Sequence, residues 1–273
     1  MVNLVAMVEG VLLDIDGVLT VSWEPLPGAI ETIAWLSTHG IDFRLVTNTS
    51  SRTRREIATL LGRAGMEVDE RHILTAVTSA AHYLGATHGG AGCVVVNEGD
   101  LREDLEGVRL VHAAEAGVVL LGGAGPSTGY EQLNAVFGLA LGGVPIVALH
   151  RNVRYQTAEG PALDMGAFIV GLEAAADVEV TVVGKPAASF FAAALSDLGV
   201  EAQQAIMVGD DIGSDVLGAQ DAGISGVLVR TGKFRPSDLE GNEAEPEHVL
   251  DDIGQLPALI ESLRSSHPAS ADD

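Results

Sequence analysis

Short apolar runs alternate along this chain with longer stretches whose apolar residues recur at helical spacing. GVLLDI (10–15) and IDFRLVTN (41–48) read as strands, because each is a compact apolar run bounded by turn residues. Between them, PGAIETIAWLSTHG reads as a helix opened by Pro27 and closed by Gly40. A second helix starts near Thr53, with Ile57, Leu60, Leu61 and Ala64 on one stripe, and stops at Gly65. The same grammar returns towards the C-terminus. PAASFFAAALSDLG sets Phe191, Ala194, Leu195 and Leu198 at helical spacing behind Pro186. AIMVGD (205–210) follows as a strand, DVLGAQDAG as a helix and SGVLVRTG (225–232) as a strand. Strands alternating with helices in this way predict βαβ units and a parallel sheet.

The middle of the chain runs through a second series of its own. GCVVVNEG and GVVLLGG read as strands, YEQLNAVFGLA as a helix, PIVALH as a strand and AFIVGLEAAA as a helix. This places an α/β unit at 76–184 between two halves of a first domain, 1–75 and 185–265. A length of 273 residues supports two domains. The tail SSHPASADD has no apolar periodicity, and 266–273 is expected to be disordered.

Polar residues interrupt the apolar pattern where it matters, at the C-terminal ends of predicted parallel strands, the edge at which open α/β sheets bind ligands. The residues there are Asp14 with Asp16, Thr47 with Asn48, Lys185, and Asp210 with Asp211 and Asp215. Each motif alone also reads as a turn, a helix cap or a solvated loop lysine. All of them in order at strand ends make that bland reading improbable. Asp14, Asp16 and Asp210 make a hard, oxygen-rich set that suits Mg²⁺ completed by waters and a substrate phosphate. Gly17 lets the chain turn sharply after the paired aspartates and frees backbone N–H groups for phosphate.

Composition narrows the partners. Formal net charge is −23, from 38 acidic and 15 basic residues, so no basic stripe exists to track nucleic acid or an anionic membrane surface. A halophilic source gives the same balance. The expected partner is a small molecule and the expected location is the cytoplasm. The single cysteine, Cys93, enters an apolar strand and reads as core. The start of the chain lacks a basic leader and a small-residue cleavage site, and reads as a buried strand. No segment is apolar over the length needed to cross a membrane. Lysine occurs only at 185 and 233, which invites a chemical reason for each.

DIDGVLT, VTNTS, GKP and GDDIGSD resemble motifs one to four of the haloacid dehalogenase superfamily of phosphohydrolases. An insertion between motifs two and three is similar to the NagD-like branch (subfamily IIA), which carries a C2-type cap. RYQTAEGPALDMGAFIVGLE followed by VVGKPAASFF resembles the phospholysine phosphohistidine inorganic pyrophosphate phosphatase group. The resemblance implies an α/β fold: a Rossmann-like parallel-sheet core domain with an inserted α/β cap domain, the cap mediating a homodimer. It implies a Mg²⁺-dependent phosphatase of small phosphorylated metabolites that works through an aspartyl-phosphate. In the implied roles, Asp14 is the nucleophile and Asp16 the general acid and base. Mg²⁺ is held by Asp14, Asp210 and the backbone carbonyl of Asp16, with Asp211 and Asp215 supporting the ion and its waters. Thr47, Asn48, Lys185 and Gly17 bind the phosphoryl group. Arg151, Arg154, Tyr155 and Asp164, on a long polar loop of the cap, are expected to reach the rest of the substrate, with Asp164 setting specificity.

Other readings compete with this one. A haloacid dehalogenase needs no acid two residues after its nucleophile, so Asp16 counts against it. A phospho-accepting receiver domain is far shorter, and a silent binding protein has no need of both Asp14 and Asp16. GGAGPSTG (122–129) lacks the G-x-G-x-x-G spacing and the acidic residue of a dinucleotide site. His112 and His150 show no metal spacing and read as ordinary loop or surface residues.

Overall fold

The structure is a computed structural model and describes residues 8–157, 160–240 and 245–265. The first residues of the expected N-terminal strand and the expected disordered tail, 266–273, lie outside the described residues. The fold is α/β and the chain divides into two compact units. Of the described residues, one comprises 8–47, 57–74, 190–240 and 245–265, and the other 48–56, 75–157 and 160–189.

The first unit is built on a six-stranded sheet in the order His248–Leu250, Ser225–Val229, Ala205–Gly209, Gly10–Asp14, Asp42–Thr47, Ile73–Thr75. The central pairs are parallel, with Leu13 beside Val208 and Asp14 beside Val46. Successive side chains of a strand point to opposite faces, which explains why an unbroken apolar run is needed here. Val11 and Leu13 join Ile33 and Leu36 of the helix Ala29–Thr38, and Ile57 and Leu61 of the helix Arg54–Arg63. Leu12 and Met207 face the other way, onto Phe190, Phe191 and Ala194 of the helix Ala188–Leu198. Gly10 has no side chain because a Cβ there meets Leu198.

The second unit repeats the scheme on a smaller scale. Its four-stranded sheet runs Thr181–Val182, Ile146–Ala148, Val118–Leu121, Cys93–Val96, all parallel. One face packs on the helix Ala76–Thr87, and the other on the helices Tyr130–Leu141 and Met165–Ala176. Thr75 starts the first of these helices with a reciprocal capping box to Thr78.

The stretch from Arg151 to Asp164, expected as a long loop, is instead largely a hairpin. Arg154–Thr157 pairs antiparallel with Gly160–Leu163, with Tyr155 opposite Ala162. The helix expected over DVLGAQDAG begins earlier, as a π-helical turn at Ile212–Leu217 that continues into the α-helical turn Gly218–Asp221. Cys93 is buried as expected, and burial pushes its thiol up to about 11, so it offers no thiolate nucleophile near neutral pH.

Phe190 and Phe191 are fully buried and meet edge to face, with ring centroids 5.9 Å apart. Phe190→Ala is expected to cost about 3–5 kcal/mol of unfolding free energy by loss of transfer energy and creation of a cavity. Urea denaturation checks this, and a loss below about 1 kcal/mol contradicts the packing described.

Candidate active site

The sheet of the first unit ends at a cluster of carboxylates. Asp14 closes the central strand, and Asp210 follows the neighbouring strand Ala205–Gly209 directly. Asp215 lies on the π-helical turn that leaves that strand. One oxygen from each of Asp14, Asp210 and Asp215 lies within 4.8 Å of the other two, and the residues are 5 %, 1 % and 1 % exposed. The structure thus brings Asp215 into the group with Asp14 and Asp210, whereas the Asp16 side chain, two residues on, is exposed.

Close approach is made possible by glycine at two points. Gly17 adopts φ 89°, and a Cβ on it overlaps the Asp210 carboxylate. A Cβ on Gly209 collides in the same way with the side chain of Asp215. Asp211 points elsewhere: its carboxylate accepts from the N–H groups of Gly213 and Ser214, both at 3.1 Å, and caps the turn. Burial works to raise the Asp211 carboxyl, but the Ser214 N–H and the nearby Lys233 prevail and hold it below the usual range. The Lys233 ammonium lies 3.6 Å from Asp211 Oδ2.

Asp210 is the electrostatically costly member. Burial first, and the charges of Asp14 and Asp215 with it, push its carboxyl up to about 7 against the opposing effect of Lys233. Its Oδ2 accepts from the Lys233 N–H at 2.6 Å, while its Oδ1 is buried with no hydrogen-bond partner among the described residues. A buried oxygen left unsatisfied beside two further carboxylates fits a hard divalent cation, which takes oxygen donors and supplies the missing positive charge.

The remaining expected residues fall as follows. Thr47 ends the strand Asp42–Thr47 and is buried. In the second unit, the Asn48 side chain is locked to the Lys185 backbone: its amide donates to the Lys185 carbonyl and its oxygen accepts from the Lys185 N–H, both at 2.9 Å. Lys185 itself is 3 % exposed.

Among the residues expected to reach the substrate, Asp164 takes hydrogen bonds within its own unit. It is 6 % exposed, and its Oδ1 accepts from the N–H groups of Met165 at 2.8 Å and Ala124 at 3.0 Å. It caps the helix Met165–Ala176 and ties it to the loop after Val118–Leu121, so its carboxylate is used in holding the unit together. Arg151 pairs with Glu173 at 3.0 Å. Arg154 and Tyr155 stand exposed on the hairpin.

His150 requires a correction. It is 2 % exposed, with Nε2 3.5 Å from Ser50 Oγ and 3.9 Å from Asp164 Oδ2, and Nδ1 accepting from the Asn152 N–H at 3.3 Å. His112 is exposed.

The site is thus a parallel α/β sheet with buried carboxylates gathered at its carboxyl edge, the edge at which such sheets bind ligands. Residues 11–110 match the haloacid dehalogenase-like hydrolase family and residues 182–256 the related HAD-hydrolase-like family. The rat phospholysine phosphohistidine inorganic pyrophosphate phosphatase is 36 % identical over 266 residues, 93 % of this chain and 94 % of that protein. Human haloacid dehalogenase-like hydrolase domain-containing protein 2 is 36 % identical over 254 residues, covering 90 % and 96 %. Among solved structures, a 4-nitrophenylphosphatase from Thermotoga maritima superposes with a TM-score of 0.87 at 26 % identity, covering 94 % of this chain and 98 % of that one. A p-nitrophenyl phosphatase from Archaeoglobus fulgidus gives 0.86 at 28 %, covering 94 % and 100 %. The chain belongs to the haloacid dehalogenase-like hydrolases, as a phosphohydrolase. No helix among the described residues is long and apolar enough to cross a membrane.

The Asp210 carboxyl sits at about 7 in the folded chain without a cation, above the value near 3.9 of an unfolded aspartate. Protonation therefore favours the folded state. This contribution is complete below about pH 4 and is lost as pH rises through about 7. Asp210→Asn, which stays neutral, is expected to melt higher than wild type near pH 8 in EDTA, with a flatter pH dependence. Divalent cation is expected to raise the Tm of wild type and not of the variant. Thermal unfolding across pH checks both, and an equal cation response in the two proteins contradicts the site.

Proposed function

We propose that the chain is a Mg²⁺-dependent phosphatase that hydrolyses small phosphorylated compounds through an aspartyl-phosphate on Asp14. The observation that carries this reading is the buried Asp14, Asp210 and Asp215 cluster, with Asp210 Oδ1 unsatisfied, beside an exposed carboxylate at Asp16. When bound, Mg²⁺ neutralises the carboxylates and orients the phosphoryl oxygens.

The chain's own groups do the rest. An oxygen of Asp14 attacks phosphorus while the bond to the leaving oxygen breaks, and Asp16 gives that oxygen its proton. Asp16, now a carboxylate, takes a proton from a water whose oxygen attacks phosphorus. The bond to Asp14 then breaks, phosphate leaves, and Asp16 is again protonated. The exposure of Asp16 agrees with a group that must meet both a leaving group and a water. Thr47, Asn48 and Lys185 are assigned to the phosphoryl group, by hydroxyl, backbone N–H and ammonium. The two hydrogen bonds between Asn48 and the Lys185 backbone fix these two residues to each other.

The substrate is a small phosphorylated metabolite, with phosphomonoesters first. The relatives named for phospholysine, phosphohistidine and inorganic pyrophosphate extend the candidates to N-phosphorylated species and pyrophosphate. A net charge of −23 counts against nucleic acid as the substrate.

Asp14→Asn is expected to remove turnover of p-nitrophenyl phosphate in Mg²⁺ while the far-UV spectrum is kept, because an amide of the same shape is no nucleophile. Activity above a few per cent of wild type would falsify the covalent role. Asp16→Asn is expected to slow esters of alkyl alcohols at least about 10-fold more than p-nitrophenyl phosphate in the first step, since a good leaving group needs less acid help. Equal losses for both, measured by release of the alcohol in single turnovers, contradict its assignment.

A further inference from the structure

The turn that follows the strand Ser225–Val229 has no part in the roles above, yet it touches the cluster at two points and the turn after Asp14 at a third. The Lys233 N–H donates to Asp210 Oδ2 at 2.6 Å. Gly232, at φ 59°, faces the same oxygen so closely that a Cβ there overlaps it, and it also backs onto the Cα of Gly17. Thr231 Oγ1 donates to the carbonyl of Gly17 at 2.5 Å, which ties this turn to the one that carries Asp16.

Asp210 Oδ2 is therefore enclosed. Gly17 and Gly232, which lie against each other, both face it closely, and its hydrogen bond comes from the main chain of residue 233. Oδ2 is held by that hydrogen bond and by the two glycines packed close against it. What remains is Oδ1, buried and unpartnered among the described residues. Groups that hold a metal-binding carboxylate in this way set the ion's affinity although they never touch it.

We propose that the Thr231–Lys233 turn is a positioning element of the cation site, holding Asp210 by Oδ2 so that Oδ1 is presented to the ion. The Thr231 hydroxyl fixes the turn against Gly17, and Gly232 leaves room for the carboxylate. The proposal rests on the reading of Asp14, Asp210 and Asp215 as the Mg²⁺ site.

The test compares Thr231→Val, which keeps the shape and loses the O–H, with Thr231→Ser, which keeps the O–H. Thr32→Val is the control for loss of a structural hydrogen bond, because Thr32 Oγ1 donates to the Ile253 carbonyl at 3.1 Å in a buried setting. Mg²⁺ binding to the metal-free proteins is measured by calorimetry, with Tm for each and KM for p-nitrophenyl phosphate at saturating Mg²⁺. Thr231→Val is expected to weaken Mg²⁺ about 10-fold or more, with Thr231→Ser within about 2-fold of wild type. KM at saturating Mg²⁺ is expected to stay near wild type for both. Thr32→Val is expected to lower Tm and leave Mg²⁺ binding unchanged. Gly232→Ala, which drives a methyl against Asp210 Oδ2, is an independent variant expected to weaken Mg²⁺ by the same order. Wild-type Mg²⁺ binding in a folded Thr231→Val or Gly232→Ala overturns the proposal, as does a shift in Thr32→Val equal to that in Thr231→Val. A wild-type protein that binds no Mg²⁺ overturns the underlying metal reading instead.

Discussion

Like charges out of water are the constraint on which the catalytic unit is organised. Asp14, Asp210 and Asp215 are all but sealed from solvent, and their ligand oxygens lie within 4.8 Å. Burial and mutual repulsion both oppose ionisation there, which is why the Asp210 carboxyl stands at about 7. Helix-capping N–H groups relieve Asp211, and one main-chain N–H relieves Asp210. Asp210 Oδ1 is relieved by no described group. Such a cluster fits a cationic occupant.

The sheet register brings the cluster together with little help from side chains. Leu13 pairs with Val208, so the residues that follow each, Asp14 and Gly209, emerge side by side, with Asp210 one step beyond. Asp14 pairs with Val46, which sets Thr47 one residue past it on the other flank. Parallel strands end together at one edge, so polar residues placed just after their apolar runs converge. Apolar faces on both sides of the sheet hold that edge rigid, with Leu13 and Leu12 anchored in separate clusters.

The same logic explains what the sequence revealed and what it hid. Polar residues at the ends of apolar runs identify an edge, so Asp14, Thr47 and Asp210 were legible, as were the central strands and the long helices. The strand Ile73–Thr75 is three residues long and passes straight into the helix Ala76–Thr87, too short to display a period of its own. The hairpin at Arg154–Leu163 lies in a polar stretch that carries no apolar alternation. The cap made by Asp164 was not read from the sequence, because a carboxylate just before a helix gives the same pattern whether or not it caps. His150 offered no spacing signal, since its neighbours Ser50 and Asp164 come from distant parts of the chain. The grip on Asp210 is a main-chain N–H, which any residue but proline provides, so residue type at 233 could not betray it.

An apolar cluster of the same size would make the edge more stable, because replacing buried charge by well-packed hydrocarbon is often neutral or favourable. The chain instead keeps three carboxylates and gives up side chains at Gly17, Gly209 and Gly232 to fit them. Each of these glycines also loses more backbone freedom on folding than another residue would. The deficit is carried by the large apolar core on either face of the sheet, where Leu12, Leu13, Phe190 and Phe191 are almost fully buried. A ligand that binds only the folded state returns part of it in proportion to its own affinity. Under the proposed metal reading, cation affinity and fold stability are linked through Asp210, whose buried Oδ1 is the oxygen left to meet the ion.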